Sequence, residues 1–472
     1  MPPILFAVES AVSRAPQLSA QRLVNAFVER QNPDAKSQSP IFGAPGLTLL
    51  ATAGMGPNRG AWNFNGLAYF VQGQSLYSVT ADGVATLHGW GILGSGPVSM
   101  SDNGVQLCIV NGSQGYIYTV ANYLQVITDP AFSAANTVNY MDGYFKFDNI
   151  GTNEWFLSAL FDGTSFNGLD FASAEAEPGF VTATAQNLQL NFIFCTAHIE
   201  LWYDTGAADF PFQIYPGGVI YYGCISPQTI VNQDGALFFL GADHVFYRLQ
   251  ANTPIRVSTH PIETLIRNSP IISDARCFTY SIEGHKFVVL QLPSAALTLV
   301  FDISTGKWHD RESWVNAGYT ITSLGRWRAQ SVLEIYDTIL FGDAVNGSIG
   351  VLDWKNYTEY GNTMPMLARS VNQHHDRQRI FVGRLELDVQ AGVGLTAGQG
   401  SNPQIMLRKS VDGGETWSDY QLWRSMGKIG KTLQRLRWMK QGSGHQMMWE
   451  ITITDPVFRC IIAAHADIEV GM

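Results

Sequence analysis

From about residue 58 to residue 360 the chain repeats one pattern every 40 to 45 residues or so: short apolar runs cut by glycine-bearing turns. In "RGAWNFNGLAYFVQGQSLYSVTADGVATLHG" four such runs are separated by Asn-Gly, Gly-Gln and Asp-Gly, which are hairpin signals. Runs this short are strands rather than helices. A four-stranded unit cannot bury both faces by itself, so successive units must stack on one another. Radial stacking of four-stranded units is the β-propeller. Further units begin near Asn136, Thr182, Pro227, Ile272 and Thr322. About seven blades are expected; six, or an interrupted ring, fits the same spacing.

The segments on either side read differently. Residues 1–57 are irregular and rich in Pro and Gly around "SPIFGAPGLTLLATAG", and are expected as an extended arm. Within them "LSAQRLVNAFVERQ" fits a helix face through Leu23, Phe27 and Arg30, but also the alternation of an extended chain, which is the preferred reading. Residues 361–472 alternate strictly in "RIFVGRLELDVQAG", "QIMLRKSVDGGETWSDYQLWRS" and "MMWEITITDPV", as in a β-sandwich. The fold class is therefore all-β: a propeller over 58–360 and a sandwich-like domain over 361–472. One helix is expected, in "THPIETLIRNSP", where Pro261 suits a first turn and Ile262, Leu265 and Ile266 share a face.

Only 14% of residues are charged, and the net charge is −10. No basic block equips the chain to grip nucleic acid by its phosphates, although an acidic wall would let a duplex slide past. Basic residues gather only in the last domain: Arg408, Lys409, Arg424, Lys428, Lys431, Arg435, Arg437 and Lys440. The five cysteines are scattered without CxxC spacing, which points to buried thiols in a reducing compartment rather than disulfides or zinc. The opening residues lack the pattern of a signal peptide, and no apolar run is long enough to insert in a membrane.

The most specific motif is "KSVDGGETWSDY", an Asp-box with Ser410, Asp412, Gly414, Thr416 and Trp417 at its specified positions. Asp-boxes recur in sugar-cleaving propellers. The box itself is a turn device: a carboxylate accepts backbone N–H bonds and glycines supply conformational freedom. "FDISTGKW", from Asp302 to Trp308, applies the same logic within the propeller. A glycosidase needs two carboxylates facing one bond. Asp170, Glu175 and Glu177 in one loop, or Glu359 between Tyr357 and Tyr360, are the candidates. His374-His375-Asp376 lies on extended chain, where adjacent imidazoles diverge, and reads as a linker rather than a metal site. The Ser304–Lys307 pair lacks a helix to bring its ends together. No catalytic, cofactor or metal residues are assigned.

In order along the chain, several segments resemble one family: the packaged-DNA stabilisation, or tail nozzle (tail hub), proteins of short-tailed bacteriophages, the podoviruses. "RLVNAFVE" followed by "GAPGL" is similar to its start. "LDFASAEAEPGF", "HIELWYDTGAADFPFQ" and "GGVIYYGCISPQTI" resemble its centre, with Gly179 where relatives often have Asp. "KSVDGGETWSDYQLWRSMGKIGKTLQRLRWMKQG" and "ITITDPV" are similar to its closing domain. The resemblance implies a structural virion protein, assembled in the host bacterial cytoplasm into a homo-oligomeric ring, commonly of six subunits. That ring would lie below the portal and its tail adaptor ring, contact a tail needle or tip and tailspikes or fibres, retain packaged DNA and pass double-stranded DNA during ejection. The family brings no catalytic residue and no cofactor. The alternative is a sialidase-like glycosidase or glycan-binding propeller, resting on the single Asp-box.

Overall fold

The computed structural model describes residues 3–207, 209–318, 320–419 and 422–471. Seven blades of four antiparallel strands follow one another: blade 1 (58–90), blade 2 (99–126), blade 3 (138–173), blade 4 (181–220), blade 5 (231–256), blade 6 (276–310) and blade 7 (329–353 with 46–52), the last two lying within larger sheets. The expectation of six or seven blades resolves to seven. The last expected start, Thr322, is not a blade strand. It belongs to a separate hairpin, Trp314–Ala317 with Thr320–Ser323, whose alternation mimics a blade start although no third strand joins it.

The apolar runs are continuous because each strand feeds two cores. In blade 2, Leu107 and Ile109 point into a cluster shared with blade 1, and Cys108 and Val110 into one shared with blade 3. Clusters of this kind occupy all seven blade-to-blade seams. At about 25 cal/mol per Å² of buried apolar area, these seams supply most of the propeller's stability. The expected helix forms as His260–Arg267, with Ile262 and Ile266 buried in the seam of blades 5 and 6.

The first strands of the blades converge on the axis, and side chains tie each to the next. Trp62 Nε1 donates to Asp102 Oδ2 (2.6 Å), Val138 N to Ser99 Oγ (3.1 Å), Thr184 N to Thr137 Oγ1 (2.8 Å) and Asn232 Nδ2 to Asn187 Oδ1 (2.9 Å). Gln233 Nε2 donates to Ser281 Oγ (2.7 Å), Ser281 N to Glu334 Oε1 (2.9 Å) and Ser331 Oγ to Asn58 Oδ1 (2.5 Å), closing the circle.

Residues 3–57 do not trail away. Pro3–Ile4 pairs with Cys460–Val470 in the sandwich. Leu23–Val24 lies between Asp310 of blade 6 and Met366–Arg369 of the sandwich. Asn25 then turns the chain in the left-handed region (φ 50°), a conformation Asn tolerates. Its amide donates to Glu312 O and Pro365 O, both at 2.9 Å. Ala26–Val28 and Ile41–Gly43 form a hairpin on the opposite sandwich sheet. Gly46–Thr52 is the outer strand of blade 7, antiparallel to Ser348–Asp353.

The sandwich is therefore completed by the N-terminal segment. Its core combines Ile4, Leu23, Val28 and Ile41 with Leu385, Trp438, Trp449 and Ile461. One of its sheets is continuous with blade 6, giving nine strands that end at Leu422–Ser425. All five cysteines are free thiols. Among the described residues, no helix is long and apolar enough to cross a membrane.

Candidate functional site

Asp412 sits at the centre of the Asp-box turn. Ser410 Oγ donates to Asp412 Oδ1 (2.6 Å), and Thr416 donates through N (3.0 Å) and Oγ1 (2.5 Å). Burial alone would raise the Asp412 pKa, but these bonds to the charged form outweigh it and bring the carboxyl to about 2. Trp417 Nε1 donates to Gly414 O (3.1 Å), and its ring lies under the guanidinium groups of Arg369 (4.8 Å) and Arg408 (5.2 Å). Both arginines also pair with the buried Glu450, at 2.7 and 2.6 Å. Gly413 and Gly414 have positive φ, and a Cβ on Gly414 would come within 2.6 Å of Ala20 Cβ. The side chains of the box thus hold a turn, and the turn seats the N-terminal segment.

The other sequence candidates lie apart. Glu175 and Glu177 are exposed beside Pro178, while Asp170 is half-buried and accepts from Asn167 Nδ2 (3.1 Å). Glu359 is sealed in, at 1% exposure. It accepts from Trp327 Nε1 (2.7 Å) and from Ser313 Oγ. Burial raises its pKa, opposed by the charge of Arg311. Tyr357 stacks under Arg459 and Tyr360 under Arg328, at 4.9 and 4.6 Å. His374, His375 and Asp376 are exposed, and His375 Nδ1 faces Gln378 Oε1 at 3.1 Å. Among the described residues, no group of three or more His, Cys, Asp or Glu side chains is placed to hold a metal ion. Asp302 serves its own turn, accepting from Ser304 N (2.9 Å) and Thr305 Oγ1 (2.8 Å) and facing His285 Nδ1 (2.8 Å).

The residues that are brought together instead form a buried ionic seam where propeller, N-terminal segment and sandwich meet. Arg22 bonds Asp310 (2.9 Å) and Glu312. Burial works against the Arg22 charge, but the two carboxylates raise its pKa above the usual arginine value. Arg311 lies over the Trp327 ring (4.3 Å) and donates to Pro45 O (3.2 Å). Arg328 pairs with Asp343 (2.5 Å). Arg459, fully buried, donates to Met364 O (2.6 Å), and desolvation lowers its pKa to about 9. Losing one partner of such a pair costs about 3–5 kcal/mol, because the other charge stays buried. The sequence carried a signal for this seam: "HDRESW" (309–314) puts four ionisable residues in a row within a charge-poor propeller.

Three sets can be told apart among the basic residues of the last domain. Arg408 and Lys409 point inward, Lys409 donating to Gln441 O (2.5 Å). Arg384, Arg435 and Arg437 surround the single carboxylate Glu386 at 3.4, 2.8 and 3.1 Å. Lys428, Lys431 and Lys440 are exposed at the far edge of the sandwich.

The chain can be set beside known proteins on this geometry. Among solved structures it is similar to the computationally designed protein Ika8, at 10% identity over 64% of this chain and 99% of that one, with a TM-score of 0.37. It is also similar to the extracellular domain of a hybrid two-component system from B. thetaiotaomicron, at 10% identity, 88% and 59% coverage and a TM-score of 0.43. PorZ of Porphyromonas gingivalis matches at 13% identity, 80% and 46% coverage and a TM-score of 0.37. This chain thus spans little more than half, or less, of the latter two, and scores this low carry no functional argument. No curated protein matches the sequence. Two family models do match, end to end: "Bacteriophage P22 Gp10, beta-propeller" over residues 10–357 and "Bacteriophage P22 Gp10, beta-sandwich" over residues 370–469. The two descriptions name the two domains seen here, in the same order, and the chain belongs to the bacteriophage P22 Gp10 family of phage tail structural proteins.

Proposed function

We propose that this virion protein forms a homo-oligomeric ring, of six subunits, that serves as the tail nozzle below the portal and its adaptor ring. It retains packaged DNA, forms the exit channel, and meets a needle or tip and tailspikes or fibres at its lower end. Assembly takes place in the host cytoplasm, in keeping with five free thiols. The observation that carries this reading is the pair of consecutive family matches covering both domains.

The geometry adds a constraint. Side chains link neighbouring inner strands all round the propeller axis, so the ring is tied against spreading to admit a duplex. This favours a channel between subunits, with each propeller as a wall block. The net charge of −10 keeps such a wall from holding phosphates. The Asp-box residues Ser410, Asp412, Gly414, Thr416 and Trp417 serve as a structural turn, and no bond chemistry is assigned to the chain. Against sugar cleavage stand the burial of Glu359 and the open, solvent-exposed positions of Glu175 and Glu177.

Electron-microscope images of the purified protein, alone and with its adaptor ring, test the proposal. Annular particles that cap the adaptor are expected. A strict monomer at every concentration and salt, without affinity for the adaptor, overturns it.

A further inference from the structure

Charge on this chain is sorted by position. Blades 1–4 (58–220) contain thirteen Asp and Glu residues but only two bases, Arg59 and Lys146. Both bases are buried, at 3% and 0% exposure. Every formally charged group that this arc turns to solvent is therefore an acid, with Asp82, Glu175, Glu177 and Asp209 among the most exposed. The opposite sorting holds at the end of the sandwich, where residues 422–449 contain six Lys and Arg and no acid, and Glu386 of the neighbouring strand offsets only part of the charge of Arg435 and Arg437. Apolar side chains stand among these bases: Leu433 is 99% exposed, Trp423 63% and Ile429 61%.

The fold puts these two regions at opposite poles. Leu422–Ser425 is the last strand of the nine-stranded sheet, and Leu436–Gly444 is an end strand of the facing sheet. Trp438 Nε1 to Leu422 O (2.9 Å) and Arg424 Nε to Arg437 O (2.8 Å) hold the two edges together as one tip. Five strand spacings separate this tip from the outer strand of blade 6, on the order of 24 Å of sheet. In a seven-bladed ring, the blades three steps from blade 6 in either direction are 2 and 3, the middle of the anionic arc. The tip thus points away from the surface on its own chain that would best complement it.

We propose that this basic tip is one half of a head-to-tail interface, and that the anionic outer arc of blades 1–4 on a second copy is the other half. The inference rests on the ring reading above and specifies its contact. Surfaces at opposite poles make a heterologous contact, which closes into a ring when the rotation between copies allows. A protein partner suits the tip better than nucleic acid does, because phosphates offer nothing to Leu433 and Ile429, whereas interface cores favour apolar residues interleaved with Arg.

Charge swaps test it in the full-length chain. K428E/K431E alters the tip, and D82K/E175K/E177K/D209K alters the arc; all six positions are exposed, and melting curves check that the variants fold. Sedimentation velocity at low and high salt reads assembly, and binding of a short DNA duplex is measured in parallel. Each variant alone is expected to weaken association about tenfold or more, and mixing the two variants to recover most of it. Wild-type annuli unaffected by either variant overturn the interface while leaving the ring reading intact. Loss from the tip variant alone, or no recovery on mixing, overturns the assignment of the arc. Unchanged assembly with lost duplex binding makes the tip a nucleic-acid contact and also overturns the proposal. A wild type that never assembles removes the ring reading itself.

Discussion

Lys146 offers a quantitative test of how the propeller is held together. It lies on the second strand of blade 3, fully buried, with its Nζ 5.3 Å from the Phe212 ring centroid and no hydrogen-bond partner among the described residues. Desolvation lowers the ammonium pKa, the acids Asp142 and Asp204 partly restore it, and the result is about 7 against an ordinary 10.5. Between those two values the unfolded chain binds a proton that the folded chain does not. Stability therefore rises with pH across that window, and below about pH 7 the penalty is full and constant. At 1.36 kcal/mol per pH unit, the gap sets an upper bound of about 5 kcal/mol, and relaxation around the amine reduces this to about 2–3. Met has a similar length and carries no charge, so Lys146→Met should stabilise the fold by about 2–3 kcal/mol near pH 6. The gain should shrink to under about 1 kcal/mol near pH 10. Guanidinium unfolding followed by tryptophan fluorescence at a series of pH values measures both numbers. A variant less stable than the parent at pH 6, or a difference that does not change with pH, refutes the reasoning.

Two further substitutions address the joints of the fold. Asp412→Ala should cost about 1–2 kcal/mol through the bonds from Ser410 and Thr416, read as a lower unfolding midpoint. Because the folded Asp412 pKa is depressed to about 2, the contribution should be present above about pH 4 and fade as pH falls towards 2. Gly46→Ala would place a Cβ 2.1 Å from Thr358 O, a backbone atom that cannot swing aside. The outer strand of blade 7 must then shift, at a cost of about 2 kcal/mol or more. Faster hydrogen exchange across Ser348–Asp353 is the expected readout, and unchanged protection there would contradict it.

What the sequence disclosed was local. Hairpin turns such as Asn65-Gly66, the alternation of Leu107 to Val110 and the Pro261 start of the helix are written in neighbouring residues. What it hid was pairing across long separations. Nothing near Gly46–Thr52 announces a partner at Ser348–Asp353, and nothing in "RLVNAF" announces that Asn25 passes the chain from one sandwich sheet to the other. Thr322 misled because an exposed hairpin alternates just as a blade strand does. The candidate acids and histidines are visible as types, but only the fold separates a sealed Glu359 from an exposed Glu175. The opposed charge poles needed both: the counts are in the sequence, but burial of Arg59 and Lys146 and the placement of blade 6 are not.

The N-terminal segment has a consequence for biosynthesis. Residues 3–52 are synthesised well before the strands they pair with, which lie at Ser348–Asp353, Met366–Arg369 and Cys460–Val470. Neither the last blade nor the sandwich can close until those later strands have been made, so the nascent chain must carry this segment unpaired while six intervening blades are synthesised.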